Sequence, residues 1–87
     1  MPWSGLSSSL IQAWYGGNET GNGIADVIFG EFNPCGRLPV SWPGDIRDSP
    51  AFLNFGAVNG RVLYGEDVYV GYKYFDAVGR KPLFEFG

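Results

Sequence analysis

Histidine is absent from the sequence and cysteine occurs once, at Cys35. Without imidazole, and with a single thiol, the chain offers no cluster of metal ligands and no internal disulfide, so metal catalysis and a disulfide-stapled scaffold are set aside. Cys35 lies between Pro34 and Gly36 with only Arg37 nearby, which reads as a small residue in a turn, not as a thiol activated by an electropositive site. Charge is also scarce. Only 17% of residues are charged, the formal net charge is −3, and Lys and Arg are scattered, with Arg80-Lys81 the one adjacent pair, so there is no basic stripe to neutralise phosphates and nucleic acid is not an expected partner. No apolar run approaches the roughly 20 residues needed to cross a bilayer, and no membrane partner is expected. Residues 1–15 lack the charged start and apolar centre of a signal peptide.

What is present is apolar and aromatic side chain, at 45% and 17% of the 87 residues. That composition sets disorder aside, and the length allows at most one small domain with a thin stability margin. A surface so poor in charge and so rich in Trp, Tyr and Phe is expected to be covered in part by further chain. The aromatic run at 83–87 and the abrupt start at Met1-Pro2-Trp3 carry the same expectation, that both ends are cut.

Along the chain, the apolar run Leu10-Ile11-Gln12-Ala13-Trp14-Tyr15 predicts a short strand of a sheet covered on both faces. Asn18 is placed to cap a following helix with Glu19 in its first turn, where a carboxylate complements the dipole. Ile24, Val27 and Ile28 form one apolar stripe, and Gly30 stops the helix. After a turn at 33–36, the segment Leu38-Pro39-Val40-Ser41-Trp42 predicts an edge strand, which completes a strand-helix-strand unit. Residues 43–59 read as an irregular connector anchored by Phe52, Leu53 and Phe55. Val68-Tyr69-Val70-Gly71-Tyr72-Lys73-Tyr74-Phe75 has the β-branched and aromatic character of a strand, with a turn at 76–79 and Arg61 to Tyr64 as its partner. The fold class expected is α/β, one strand-helix-strand unit followed by a long connector and a β-hairpin-like end.

Several motifs in fixed order then point to a family. Gln12-Ala13-Trp14-Tyr15-Gly16-Gly17-Asn18-Glu19-Thr20-Gly21-Asn22 leads through Asp26-Val27-Ile28-Phe29-Gly30 to Asn33-Pro34-Cys35-Gly36-Arg37-Leu38-Pro39. Ser41-Trp42-Pro43, Pro50-Ala51-Phe52-Leu53-Asn54-Phe55, Gly60-Arg61-Val62, Tyr64-Gly65-Glu66-Asp67, Val70-Gly71-Tyr72 and Pro82-Leu83-Phe84 follow. The series covers nearly the entire chain and resembles the segment that closes the second, α/β-sandwich domain of glycoside hydrolase family 3 β-glucosidases, with the closest likeness to fungal members. Cys35 departs from the usual Ser or Asn, and Glu85 from a usual second proline that would have fixed the backbone near Phe86. The resemblance implies that 1–42 end a partial α/β sandwich, and that 43–87 form a connector and strands leading toward a fibronectin type III-like domain outside this chain. It also implies a parent that hydrolyses terminal β-D-glucosyl residues of short glucosides without a cofactor. The barrel and the rest of the sandwich would be this chain's partners. Secretion of such a parent is open, because a signal would lie ahead of this segment.

Retaining glycosidases need two carboxyl groups about 5 to 5.5 Å apart, one a nucleophile and one an acid/base. In the family resembled, the nucleophilic aspartate lies in the barrel and the acid/base glutamate lies in the sandwich domain before the segment matched here. No position of this chain inherits either role, and the chain alone is expected to be inactive. Glu66 and Asp67, read on a strand, would point to opposite faces and could not straddle one bond. Glu66 is kept as a candidate substrate-binding residue at the sugar rim, against the plainer reading of a turn carboxylate. Asn18-Glu19-Thr20 fits an N-glycosylation acceptor at Asn18. Trp14, Tyr15 and Trp42 could stack on sugars but are the residues expected in a core. A different class of function, a non-catalytic carbohydrate-binding or interaction module, would be built on Trp42, Tyr64, Tyr69 and Tyr72. A dinucleotide-binding unit would need a second glycine in phase and an acidic ribose contact, and neither is evident.

Overall fold

The computed structural model describes all residues, 1–87. Backbone order comes from two short α-helices, three single 3₁₀ turns and two isolated antiparallel bridges. The contacts divide into two compact units, one of Trp3–Gly36 and one of Arg37–Gly87 together with Met1–Pro2.

In the first unit, a 3₁₀ turn at Gly17–Glu19 runs directly into helix α1, Thr20–Ile28. The local sequence accounts for both. The Thr20 hydroxyl donates to the Gly17 carbonyl at 2.6 Å, and the Asn22 amide donates to the Glu19 carboxylate, so polar side chains occupy backbone and neighbour within the first turn. Asn18 does not act as the helix cap. Glu19 holds that position without a side-chain cap bond, because the tight turn shifts the helix start past Asn18. Helix α1 ends as the sequence predicts, with Gly30 at φ 81°. The apolar stripe forms, with Ile24 and Val27 half-buried and Ile28 exposed. The strand expected at 10–15 does not form. Trp14 takes φ 51°, outside the extended region, and Tyr15 is fully exposed. A strand exists only through its ladder, and this unit contains no neighbouring strand.

The second unit is closed by residues far apart in sequence. Trp42 and Phe84 form an antiparallel bridge, with the Trp42 N–H donating to the Phe84 carbonyl at 2.8 Å and the Phe84 N–H returning at 3.2 Å. Their rings meet edge to face at 6.2 Å, and the Gly87 N–H reaches the Leu38 carbonyl at 3.0 Å. The expected strand at 38–42 is thus reduced to one bridge at Trp42. The connector over 43–59 is irregular apart from a 3₁₀ turn at Ile46–Asp48. Phe52, Leu53 and Phe55 do not anchor it, since all three are exposed.

The strand expected over 68–75 is replaced at its end by helix α2, Tyr72–Val78. Two glycines explain the change. Gly71 takes φ 56° and ψ −133°, a conformation nearly closed to other residues, and it turns the chain out of any extended run. Gly79 takes φ 64°, and the Gly79 and Arg80 N–H groups return to the Asp76 and Phe75 carbonyls at 3.3 and 3.0 Å. That is a Schellman stop, which satisfies carbonyls the helix would otherwise leave orphaned. Phe75, at 5% exposure, is the one buried side chain. The β-hairpin-like end is likewise not observed. The hairpin lies earlier, where Val58 and Arg61 exchange hydrogen bonds of 2.9 and 3.0 Å around Asn59-Gly60, both at positive φ, the arrangement of a two-residue I′ turn.

Candidate functional site

Glu66 sits in the turn over 65–68, half-buried, with its carbonyl accepting the Tyr69 N–H at 2.9 Å. Asp67 beside it takes φ 52°. The two acids therefore lie in a turn and not on a strand, so the strand-alternation reason for separating them does not apply. The cavities supply a firmer one. Glu66 lines one cavity of about 480 Å³ with Pro39, Pro50, Val70 and Tyr72, and another of about 370 Å³ with Tyr69 and Tyr74. It is the only carboxylate on either wall, and Asp67 is on neither. A retaining pair needs two carboxyl groups facing one bond, and neither cavity holds two.

A third cavity, of about 370 Å³, lies against α2 and does carry two acids, Asp76 and Glu85. The Glu85 side chain is 68% exposed and 3.8 Å from the Lys81 ammonium. It is not held dry against the apolar surroundings that suit a general acid.

Asn18 is exposed in the 3₁₀ turn ahead of α1, and the Thr20 hydroxyl of the same triplet is bonded to the Gly17 carbonyl. The aromatic candidates are not gathered into one surface. Tyr72 packs on Phe86 with ring centroids 5.1 Å apart, and Trp42 lies by Pro43 and Ile46 at a separate cavity of about 350 Å³. Tyr64 and Tyr69 are exposed. Of these aromatics, only Tyr72 shares a cavity of about 480 Å³ with Glu66, while Tyr69 shares the other.

The strongest local electrostatics lie elsewhere. Arg47 forms two hydrogen bonds to Asp45, Nε to Oδ1 at 2.8 Å and a guanidinium nitrogen to Oδ2 at 2.7 Å, and its own N–H adds a third at 2.8 Å. The Arg47 side-chain bonds, then the backbone bond, hold the Asp45 carboxyl well below the usual carboxylate range, and the same pairing raises Arg47. Arg80 bonds Asp48, tying the end of α2 to the 46–48 turn. None of these residues stands out in the sequence by spacing. Asp45 at the start of a turn was the only available signal, as an Asx residue that caps its own backbone two positions on.

The family described as "Glycosyl hydrolase family 3 C-terminal domain" matches residues 1–72. Along its full length, the chain is 64% identical to "Probable beta-glucosidase H" of Aspergillus flavus and 59% identical to "Probable beta-glucosidase I" of Aspergillus terreus, covering 10% of each. The crystal structure of the beta-glucosidase from Kluyveromyces marxianus in complex with glucose superposes on 98% of this chain with a TM-score of 0.93 at 54% identity, and the chain covers 10% of that protein. The chain thus spans about a tenth of the length of the relatives it matches. With the family matched over most of its residues and identity above half along its length, the chain belongs to glycosyl hydrolase family 3, in the C-terminal domain.

Proposed function

We propose that this chain is the closing part of the α/β-sandwich domain of a β-glucosidase, serving as scaffold and substrate-side rim in the hydrolysis of terminal β-D-glucosyl residues of short glucosides. The observation that carries this reading is the TM-score of 0.93 over nearly the entire chain against a β-glucosidase solved with glucose. A backbone with one buried side chain is the conformation of a segment whose apolar surface is covered by its surroundings. In the larger protein, the run at 10–15 gains strand neighbours and the stripe of α1 gains a sheet, which completes the sandwich over 1–42. Residues 43–87 lead on toward a fibronectin type III-like domain. The division of contacts between Gly36 and Arg37 supports a change of role in this region.

The chemistry follows from the same placement. An oxocarbenium-like transition state needs a nucleophilic carboxylate on one face of the sugar and proton donation to the leaving oxygen. Glu66 has no second carboxylate on its cavities, and the family resemblance implies that both catalytic groups come from the barrel and the earlier part of the sandwich. Glu66 contributes a hydrogen-bond acceptor at the rim. Asn18, exposed ahead of α1, is the glycosylation acceptor where the protein passes through a secretory compartment.

The test is release of nitrophenol from an aryl β-glucoside. The purified chain and its Glu66→Gln variant both stay at background, whereas the enzyme-length protein turns over. In that protein, Glu66→Gln raises KM with kcat nearly unchanged, as expected for a contact made equally in ground and transition states. Turnover by the chain alone that disappears in Glu66→Gln overturns the reading and makes Glu66 catalytic.

A further inference from the structure

The dipeptide Asn-Gly occurs twice, at Asn22-Gly23 and Asn59-Gly60, and the fold places the two copies in opposite surroundings. The pairing carries a definite chemistry. An asparagine side chain holds an electrophilic carboxamide carbon within reach of the next residue's backbone nitrogen, and a glycine at that next position adds no Cβ to hinder the approach. What decides the outcome is which of these groups are already engaged.

At Asn59 neither is engaged. The residue is exposed, its carboxamide makes no hydrogen bond, and the Gly60 N–H has no backbone acceptor. Asn59 and Gly60 take φ 51° and 72° in a turn closed by the single Val58–Arg61 bridge. Val58 and Arg61 are exposed as well, so little burial opposes the local opening that lets nitrogen meet carbon. Asn22 differs on each count. It lies inside α1, and its amide donates to the Glu19 carboxylate, so attack there first requires unwinding helical backbone. The other asparagines are held back by their neighbours. Asn33 precedes Pro34, which has no N–H to lose. The Asn54 amide donates to the Leu63 carbonyl at 2.7 Å, and Asn18 precedes Glu19, whose side chain crowds the attacking nitrogen.

We propose that Asn59 is a site of spontaneous modification, converting to aspartate and isoaspartate through a succinimide while Asn22 persists. The Gly60 nitrogen loses its proton to solvent base and bonds to Asn59 Cγ. The Cγ–Nδ2 bond then breaks, and ammonia leaves, taking up a proton in place of the one lost. Water opens the ring at either carbonyl carbon, which leaves a carboxylate on one side and a peptide bond on the other. Either product adds a negative charge to the turn, and isoaspartate also lengthens the backbone by a methylene, which destroys the register of Val58 with Arg61. The site does not depend on the chain's role in hydrolysis.

The experiment is incubation of the full chain in mildly alkaline buffer made with ¹⁸O-water, followed by proteolysis and fragment mass spectrometry, with isoaspartate scored by an isoaspartyl methyltransferase. In the native chain, one ¹⁸O atom is expected to enter at Asn59 at least about tenfold faster than at Asn22, with isoaspartate among the products. Concentrated urea should bring the two rates within about twofold, because both dipeptides then sit in unfolded chain. In urea, where folding is not at issue, Gly60→Ala should slow Asn59 and leave Asn22 unchanged, which ties the reaction to this nitrogen. Equal native rates, a faster Asn22, no ¹⁸O uptake at Asn59, or a difference that persists in urea would each overturn the proposal.

Discussion

Trp3–Gly36 and Arg37–Gly87 are similar in lacking extended strands and opposite in what holds them together. The first is ordered by neighbours in sequence: Thr20 on Gly17, Asn22 on Glu19, and the turns of α1. The second is ordered by closures across long separations, Trp42 on Phe84, Leu38 on Gly87 and Asp48 on Arg80, and it buries Phe75 of α2. Local hydrogen bonding therefore suffices to shape a helix and its ends, but burial needs distant chain. Where that chain is missing from a unit, as around Phe29 and Phe32, apolar side chains stay in water.

The sharpest way to break this comparison is to remove the one buried side chain. Phe75→Ala is expected to cost about 3 to 5 kcal/mol, a large part of the stability available to a chain this small. Hydrogen exchange should then show protection lost through Arg37–Gly87 while the amides of α1 keep theirs. Parallel loss in α1 means that order in the first unit is not local after all. A smaller effect is expected at the end of α2. Gly79→Ala places a Cβ at φ 64° and costs about 1 to 2 kcal/mol, readable as a lower denaturant midpoint, with Gly79→Asn milder because Asn tolerates this conformation. Equal midpoints for Ala and Gly would mean the Schellman stop does not hold the helix.

The same contrast explains what the sequence made legible. Helix α1 was readable because its stripe, its first-turn polar residues and Gly30 all lie within a dozen positions. Helix α2 was not, because Val68, Tyr69, Val70 and the aromatics after them have strand propensity, and β propensity reports packing surroundings more than backbone preference. Gly71 and Gly79 carried the decisive information, since both take positive φ. Asn59-Gly60 is itself a strong hairpin signal, and assigning Arg61 to Tyr64 as partner of a later strand hid it. Glu66 could be singled out as a polar residue in an aromatic segment, but its cavity is built from Pro39, Pro50 and Tyr72.

Acid sharpens the comparison at one place in the second unit. The Asp45 carboxyl is held below its ordinary range first by the Arg47 side chain and then by the Arg47 N–H. A folded value below the unfolded one means that the native state binds fewer protons. The stabilisation is thus present above the unfolded value and is lost as pH falls through it toward the folded one. Because the pair is exposed, solvent screening keeps the effect small. Carboxyl NMR titration should show Asp45 ionised well into acid, and Arg47→Gln should return it toward the ordinary carboxylate range. An unchanged titration in Arg47→Gln would assign the shift to another cause.

The smallest effect expected in this chain is at Ile28, and it is the one that links the exposed stripe of α1 to the proposed enzyme. Ile28 is 61% exposed, while Ile24 and Val27 on the same stripe are half-buried. Truncating an exposed side chain removes little buried area, so Ile28→Ala should move the stability of the chain by no more than about 0.5 kcal/mol. On the proposed reading the stripe faces a sheet in an enzyme-length protein, where the same substitution would open a cavity that costs about 2 to 5 kcal/mol. Denaturant midpoints measured in both contexts decide the matter, with dilution of the chain as a control, because self-association would cover Ile28 and enlarge its effect with concentration. Small effects in both contexts would leave α1 facing solvent in the enzyme too, and the sheet assigned to it would have to lie elsewhere.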